Sequence, residues 1–345
     1  MHRLRRRFLT GVLLGVGVIS ALIVLSDRDA LVDAARSFDL RLIPLILGLT
    51  VGNYVLRFIK WEYYLRRVDV TQLSTGTSAL IFTSGFSMAM TPGKVGEFLK
   101  SLLIRSRTGA PMTRTLPVVF AERLTDGLSM VILSTVGLLA FRVGWPLFLV
   151  MSFVLGAILV FIQQEALVEA ILRRLRNTRY LEGRIDELRE LYRSTRSLLR
   201  PRPLTLMAAL SSASWFFECI VLYVILRGLG FEHSWNLLLA ATFVFATSAW
   251  LGGASLLPGG LGATEASAAA LLVVTVDDPA MTGTVAAAAT LILRFATLWF
   301  GVAVGLVALA VTSRWLGRDV DLEAAVEEPP AQSAGAGYPH RGEKG

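Results

Sequence analysis

Residues 92–97 read Pro-Gly-Lys-Val-Gly-Glu and residues 258–265 read Pro-Gly-Gly-Leu-Gly-Ala-Thr-Glu, and each stretch interrupts a long apolar run. Proline removes a backbone donor and glycine loosens a helix, so each apolar pair reads as two helical arms around a break. On the first break the arms are Thr77–Thr91 and Val95–Ile104. Both are short for a crossing that needs about 20 residues, which predicts a re-entrant hairpin. On the second the arms are Leu237–Leu257 and Leu261–Val276, and here the first arm is long enough to span alone.

Working outward, the remaining apolar blocks are Phe8–Leu25, Leu42–Leu65, Thr115–Phe141, Trp145–Gln163, Leu204–Leu226 and Met281–Thr312. The 345-residue chain is 54% hydrophobic and only 17% charged, with a mean hydropathy of +0.60, which excludes an ordinary water-soluble enzyme. Phe8–Leu25 is long for a signal core and its exit, Ser26-Asp27-Arg28-Asp29, lacks a small-x-small cleavage site, so it is expected to be an uncleaved first helix. The fold class that follows is an all-α polytopic membrane protein of about eight transmembrane elements, two of them Pro/Gly-broken re-entrant hairpins.

With the N-terminus placed in the cytoplasm, the segments on that side carry 24 Lys and Arg against 5 on the other. This is the asymmetry the positive-inside rule demands, and it predicts a multi-pass protein of the cell membrane with both termini cytoplasmic. The net charge of +8 therefore points to anionic lipid headgroups and not to nucleic acid. Elements in residues 1–144 run helix, helix, hairpin, long helix, and residues 145–312 run the same way from the opposite side. An inverted repeat with broken segments in corresponding positions points to a transport site near the bilayer midplane. Segment 164–203 holds ten arginines and six acids, with Leu181, Ile185, Leu188 and Tyr192 at helical spacing. It reads as a basic amphipathic insert on the inner headgroups, or as a solvated loop that fixes topology. Residues 313–345 are expected to form a disordered tail.

Charges inside the apolar blocks carry the functional signal. Arg57, Lys94, Lys100, Arg123 and Arg294 stand against Glu97, Glu122, Asp126, Glu218 and Glu265. Each would cost about 2.5–3.5 kcal/mol unpaired at a helix centre, so they must pair or line a wet cavity, with Lys100 a candidate to snorkel. Glu122, Arg123 and Asp126 share one helix face, and Asn53, Arg57 and Trp61 form a polar stripe on another. Arg294 occupies a comparable place on the last long helix without acidic companions on that helix. Residues after each Pro-Gly open a half-helix whose free N–H groups favour an anion. Lys94 adds charge there, Gly93 and Gly96 permit close approach of a backbone or a phosphate, and Glu97 suits the helix dipole. In the second half Gly259, Gly260 and Gly262 leave a barer tip with Glu265 as its only charge. Glu97 and Glu265 either contact substrate or lock their hairpins to a neighbouring arginine. The three histidines (His2, His233, His340) and the lone Cys219 supply no metal site, disulfide or catalytic triad, so no cofactor is expected.

Four motifs in order, Asn53-x-x-Leu56-Arg57-x-x-Lys60-Trp61, Pro92-Gly93-Lys94-x-Gly96-Glu97, Glu122-Arg123-x-x-Asp126 and Leu257-Pro258-Gly259-Gly260-Leu261-Gly262-x-x-Glu265, resemble the membrane region of lysylphosphatidylglycerol synthases and its stand-alone relatives. The resemblance covers about residues 8–312. Lys60 and Lys94 stand where that family often has arginine. The resemblance implies an eight-helix domain with re-entrant elements and a role in moving lipids between leaflets. Since only a short tail follows Thr312, the chain is not expected to synthesise aminoacylated lipid. Two functions follow: a translocator of an anionic or lipid-linked headgroup, without a Walker A sequence and so without its own ATP hydrolysis; or a membrane transferase or accessory subunit for a partner synthase, with Glu97 or Asp126 as general base.

Overall fold

The structure is a computed structural model, which describes Gly17 and residues 36–90, 96–176 and 184–315. The expected first helix Phe8–Leu25 apart from Gly17, the tip Pro92-Gly93-Lys94, the side chain of Glu97, Leu181 and the tail from residue 316 lie outside the described residues. The described residues form helices joined by short turns, with no strand among them. Its helices are α1 (Ile43–Arg67), α2 (Thr75–Ser84), α3 (Gly96–Thr108), α4 (Met112–Phe141), α5 (Trp145–Gln163) and α6 (Glu165–Arg176), followed by α7 (Ile185–Leu198), α8 (Pro201–Gly228), α9 (Trp235–Ala254), α10 (Ala263–Thr275), α11 (Gly283–Arg294) and α12 (Phe300–Trp315).

Local sequence sets these boundaries. Proline opens α1, α5 and α8, where its missing N–H costs nothing. Ser74, Ser234 and Thr282 cap α2, α9 and α11 by accepting from Thr77, Leu237 and Val285 backbone N–H groups. Left-handed Arg142 and Gly144 turn the chain sharply from α4 into α5.

Six helical stretches are long and apolar enough to cross a membrane: Leu40–Arg67, Met112–Phe141, Trp145–Gln163, Pro201–Gly228, Trp235–Ala254 and Gly283–Thr312. The last is α11 and α12 joined by a π turn over Phe295–Trp299. By contrast α2, α3 and α10 span only about 15–20 Å at 1.5 Å per residue, against a hydrocarbon core of about 30 Å. Many large apolar side chains face outward, among them Val55, Leu149, Phe153, Val160 and Val307. Ionic groups sit inside instead: Lys60, Lys100, Glu122, Asp126, Glu218 and Glu265 are each at most 6% exposed. A greasy exterior around a charged interior is the arrangement a bilayer solvent selects. The protein is an all-α polytopic membrane protein.

Three close packings hold the interior. α1 and α8 lie against each other, with Asn53 Nδ2 donating to the Ser214 carbonyl at 3.1 Å and Ser214 Oγ donating back to the Asn53 carbonyl at 3.3 Å. α12 packs on α2 and on the 3-10 turn Gly85–Met88, and α4 packs on α9. The α12 approach needs Gly305, where a Cβ would stand 2.2 Å from the Ser87 backbone nitrogen. In the insert, Ile185, Thr195 and Leu198 of α7 are buried, and α7 packs on α4. Arg189 and Arg193 reach Glu169, and Arg196 reaches Glu165, tying α7 to α6. The apolar face of α7 is thus covered by protein, leaving the arginines as its link to α6.

Candidate functional site

A cavity of about 230 Å³ opens between the α1–α4 part of the chain and the α8–α12 part. From the first come Tyr54 and Arg57 on α1, Gly85 and Phe86 on the 3-10 turn, Lys100 on α3 and Arg123 on α4. From the second come Trp215 and Glu218 on α8, Ser248 and Gly252 on α9, Gly259 and Gly260 at the break, and Arg294 and Thr297 on α11 and its π turn. Four cations therefore meet one carboxylate on the wall.

Three of the four cations form an ion pair with an acid. Lys100 Nζ lies 3.2 Å from Glu122 Oε2 and over the rings of Trp61 and Phe82, at 4.9 and 4.8 Å from their centroids. It is 2% exposed, so it does not snorkel as its sequence position suggested; the aromatic walls and Glu122 replace water around it. Arg294 Nε donates to Glu265 Oε1 at 2.6 Å, and its NH2 donates to the Gly259 carbonyl at 2.5 Å. Glu265 Oε2 also accepts from the Gly262 backbone N–H at 2.7 Å, capping α10. One ion pair thereby fixes the second break, whose Gly259, Gly260 and Gly262 all take positive φ. Arg123 lies 3.6 Å from Asp126 Oδ2.

Arg57 differs. Its guanidinium stands 5.5 Å from the Phe86 ring centroid and 5.1 Å from that of Trp215. Its Nε has no hydrogen-bond partner among the described residues, and neither has Trp215 Nε1 or Glu218 Oε2. All three atoms belong to residues that line the cavity. Tyr54 closes one side by donating to the Thr297 carbonyl at 3.0 Å, in a notch where a Cβ on Gly301 would come within 2.7 Å of the phenol oxygen. The π turn Phe295–Trp299 shapes this wall, and such turns gather at functional sites.

Behind the cavity lies a second charged cluster. Lys60 is fully buried, and its Nζ donates to Asp126 Oδ1 at 2.5 Å and to Ser211 Oγ at 2.7 Å. Lys60 stands near the end of the apolar run Leu42–Leu65, where a basic residue reads as flanking the membrane; because α1 runs on to Arg67, it is instead an interior ion.

The sequence-selected residues thus divide. Arg57, Arg123, Gly259, Gly260 and Arg294 border the cavity; Glu122, Asp126 and Glu265 stand behind it as partners of cavity or interior cations. Gly262 begins α10, and Gly96 is the first residue of α3. Gly93 and Lys94 lie outside the described residues. The sequence did not point to Tyr54 or Trp215, and it showed Lys100 and Glu218 only as charges in apolar blocks, without a place in the site. Only Ser211, Ser214 and Glu218 at helical spacing on α8 hinted at that face. Among the described residues no group of His, Cys, Asp and Glu could hold a metal.

This fold and its site define an integral membrane protein with a cationic chamber buried among its helices. The chain belongs to the lysylphosphatidylglycerol synthase TM region family, whose model matches residues 12–305. It is similar to two UPF0104 membrane proteins of Methanothermobacter thermautotrophicus. One is 25% identical over 309 residues, covering 85% of this chain and 90% of the relative. The other is 23% identical over 323 residues, covering 86% and 93%.

Proposed function

We propose that the protein is a lipid translocator that moves an anionic or lipid-linked headgroup between leaflets through the chamber described above, while the acyl chains stay in the bilayer. The observation that carries this reading is the meeting of Arg57, Lys100, Arg123 and Arg294 around about 230 Å³ of space. Cations inside a membrane protein are costly and mark pathways for anions. A phosphate between Arg57 and Trp215 would satisfy the two unpartnered donors, Arg57 Nε and Trp215 Nε1.

The reading includes the inverted repeat of residues 1–144 and 145–312, with both termini in the cytoplasm of a cell-membrane protein. Its support is reciprocal packing: the last long helix lies on α2 of the first hairpin, and α4 lies on α9 of the second. The alternative of a membrane transferase with Asp126 as base is less well supported, since Asp126 is held by Lys60, Arg123 and Ser211.

The test is leaflet exchange of a fluorescent phosphatidylglycerol in proteoliposomes. Wild type and Gly283→Ala, at a site with open space around it, should accelerate exchange over empty liposomes. Arg57→Gln should reduce the rate at least about tenfold, the effect of losing a buried charged hydrogen bond worth about 1.5–3 kcal/mol. Wild-type exchange no faster than in empty liposomes, across anionic phospholipids, would refute the reading.

A further inference from the structure

Resting on that reading, we infer that the chamber selects a singly anionic phosphodiester headgroup that carries a free hydroxyl, its phosphate held at Arg57 and Trp215 and its hydroxyl held by Glu218. The polar atoms of the wall that lack a partner define this pattern. Among the described residues they are Arg57 Nε, Trp215 Nε1 and Glu218 Oε2. Tyr54, Ser248 and Thr297 on the same wall already donate, to the Thr297, Phe245 and Leu293 carbonyls. Two of the open atoms are thus donors and the third belongs to a carboxyl. Phosphate oxygens satisfy the donors and offer nothing to Glu218, which is 3% exposed and has little water to turn to. The headgroup must bring a donor of its own.

The register of α8 says where that donor lies. Trp215 and Glu218 are three residues apart on one helix face, where Cβ atoms stand about 5–6 Å from each other. A short alcohol ester spans that gap from its phosphate to its hydroxyl. Arg57 meets Trp215 from α1, 5.1 Å from its ring centroid, and so marks the phosphate end.

Charge separates a hydroxyl from an ammonium as the donor. Arg57, Lys60, Lys100, Arg123 and Arg294 stand in or behind the chamber against Glu122, Asp126, Glu218 and Glu265, because Lys60 and Arg123 share Asp126. Cations are in excess whether or not Glu218 is ionised. A monoanion answers that excess, whereas a zwitterion leaves it and brings its own ammonium among Arg57, Lys100, Arg123 and Arg294. A hydroxyl adds no charge. It also suits a carboxyl in either protonation state, donating to the ionised form and accepting from the protonated one.

Isothermal titration of the purified full-length protein in detergent tests this with dihexanoyl lipids that differ only in headgroup. Phosphatidylmethanol has the charge of phosphatidylglycerol and no hydroxyl; phosphatidylethanolamine has an ammonium in its place. Wild type should bind phosphatidylglycerol about tenfold more tightly than phosphatidylmethanol, the effect of one buried hydrogen bond, and phosphatidylethanolamine most weakly. Glu218→Leu should bind phosphatidylglycerol and phosphatidylmethanol equally, whereas Glu218→Gln, which keeps an acceptor and a donor, should retain the preference. Glycerophosphoglycerol, the same headgroup without acyl chains, should bind more weakly than the lipid.

Equal wild-type affinity for phosphatidylglycerol and phosphatidylmethanol overturns the inference, as does a preference that survives in Glu218→Leu. So does tighter binding of phosphatidylethanolamine, or glycerophosphoglycerol binding as well as the lipid, which would assign the site to a soluble phosphodiester. Should Glu218→Leu fail to fold, Glu218→Ala takes its place, and the wild-type comparison decides without either. The translocation reading fails separately. A phosphatidylglycerol preference without leaflet exchange in proteoliposomes would refute translocation and leave the headgroup assignment intact. Leaflet exchange of fluorescent phosphatidylglycerol in a protein that binds the two anionic lipids equally would leave translocation standing and overturn the assignment.

Discussion

The Lys60–Asp126 pair offers the sharpest energetic test of the fold. Lys60 is fully buried and sits in a cage of Asp126 Oδ1 at 2.5 Å, Ser211 Oγ at 2.7 Å, and the Thr125 hydroxyl and Glu122 carbonyl at 3.4 Å. Removing one member of a buried pair leaves an uncompensated charge and costs about 3–5 kcal/mol. Each single change falls at the low end here. In Lys60→Met, Asp126 keeps Arg123 at 3.6 Å and the Ser211 hydroxyl at 3.3 Å. In Asp126→Asn, Lys60 keeps the two hydroxyls and the carbonyl. About 3 kcal/mol is expected for each variant.

The double variant Lys60→Met/Asp126→Asn removes both charges together, so it should cost about 3 kcal/mol and not the sum of about 6. Equilibrium unfolding in mixed micelles of rising sodium dodecyl sulfate fraction, followed by tryptophan fluorescence, measures all four corners of the cycle. Single variants within about 1 kcal/mol of wild type would show that this pair does not hold α1, α4 and α8 together. A double variant that equals the sum within about 0.5 kcal/mol would show that the two side chains are not coupled at all.

Three further outcomes are expected. Glu265→Gln leaves Arg294 without its counter-charge while keeping an acceptor for the Gly262 N–H, so hydrogen exchange over residues 257–264 should rise and stability should fall by about 2 kcal/mol. Gly305→Ala drives a Cβ to 2.2 Å from Ser87 nitrogen and should lower the melting temperature through an overpacking cost of about 1–3 kcal/mol, whereas Gly283→Ala, with nothing within 4 Å, should not. Glu190 on α7 is held below the ordinary glutamate range by hydrogen bonds from Arg114 and Thr113. That contribution is present above the unfolded-state value of about 4.3 and is lost as pH falls through the lower folded value, so protease cleavage within α7 should quicken only on acidification below that range.

The second break and the polytopic helical class were legible because both depend on local chemistry. Pro258 and Gly259 cannot continue a helix, and an apolar run of helical length has few other homes. Glu265 and Arg294 were each visible as charges in apolar blocks, but their pairing was not. Periodicity describes one helix face, and these two meet across 29 positions only because α10 folds back beside α11. Lys60 illustrates the opposite error. It sits near the end of an apolar run and so reads as a flanking charge, until the continuation of α1 to Arg67 buries it against Ser211. Glu218 was legible only as an isolated acid, since its shared space with Arg57 comes from the α1–α8 contact that Asn53 and Ser214 lock.

The choice of cation at each position carries its own argument about role. Lys60 presents a compact ammonium to two hydroxyls, a carbonyl and a carboxylate converging from several directions, which a point charge on a flexible stem satisfies. Arg57 is flanked by the Phe86 and Trp215 rings, a place for a planar guanidinium that stacks and keeps edge N–H groups for something else. Stacking fixes the plane of the group without consuming its donors. A side chain held in this way is preorganised for bidentate recognition of an anion such as a phosphate, at little entropic cost on binding. Among the described residues the cations that build the scaffold are closed by acids, whereas Arg57 keeps an unpartnered Nε between two rings, which fits the anion binding proposed above.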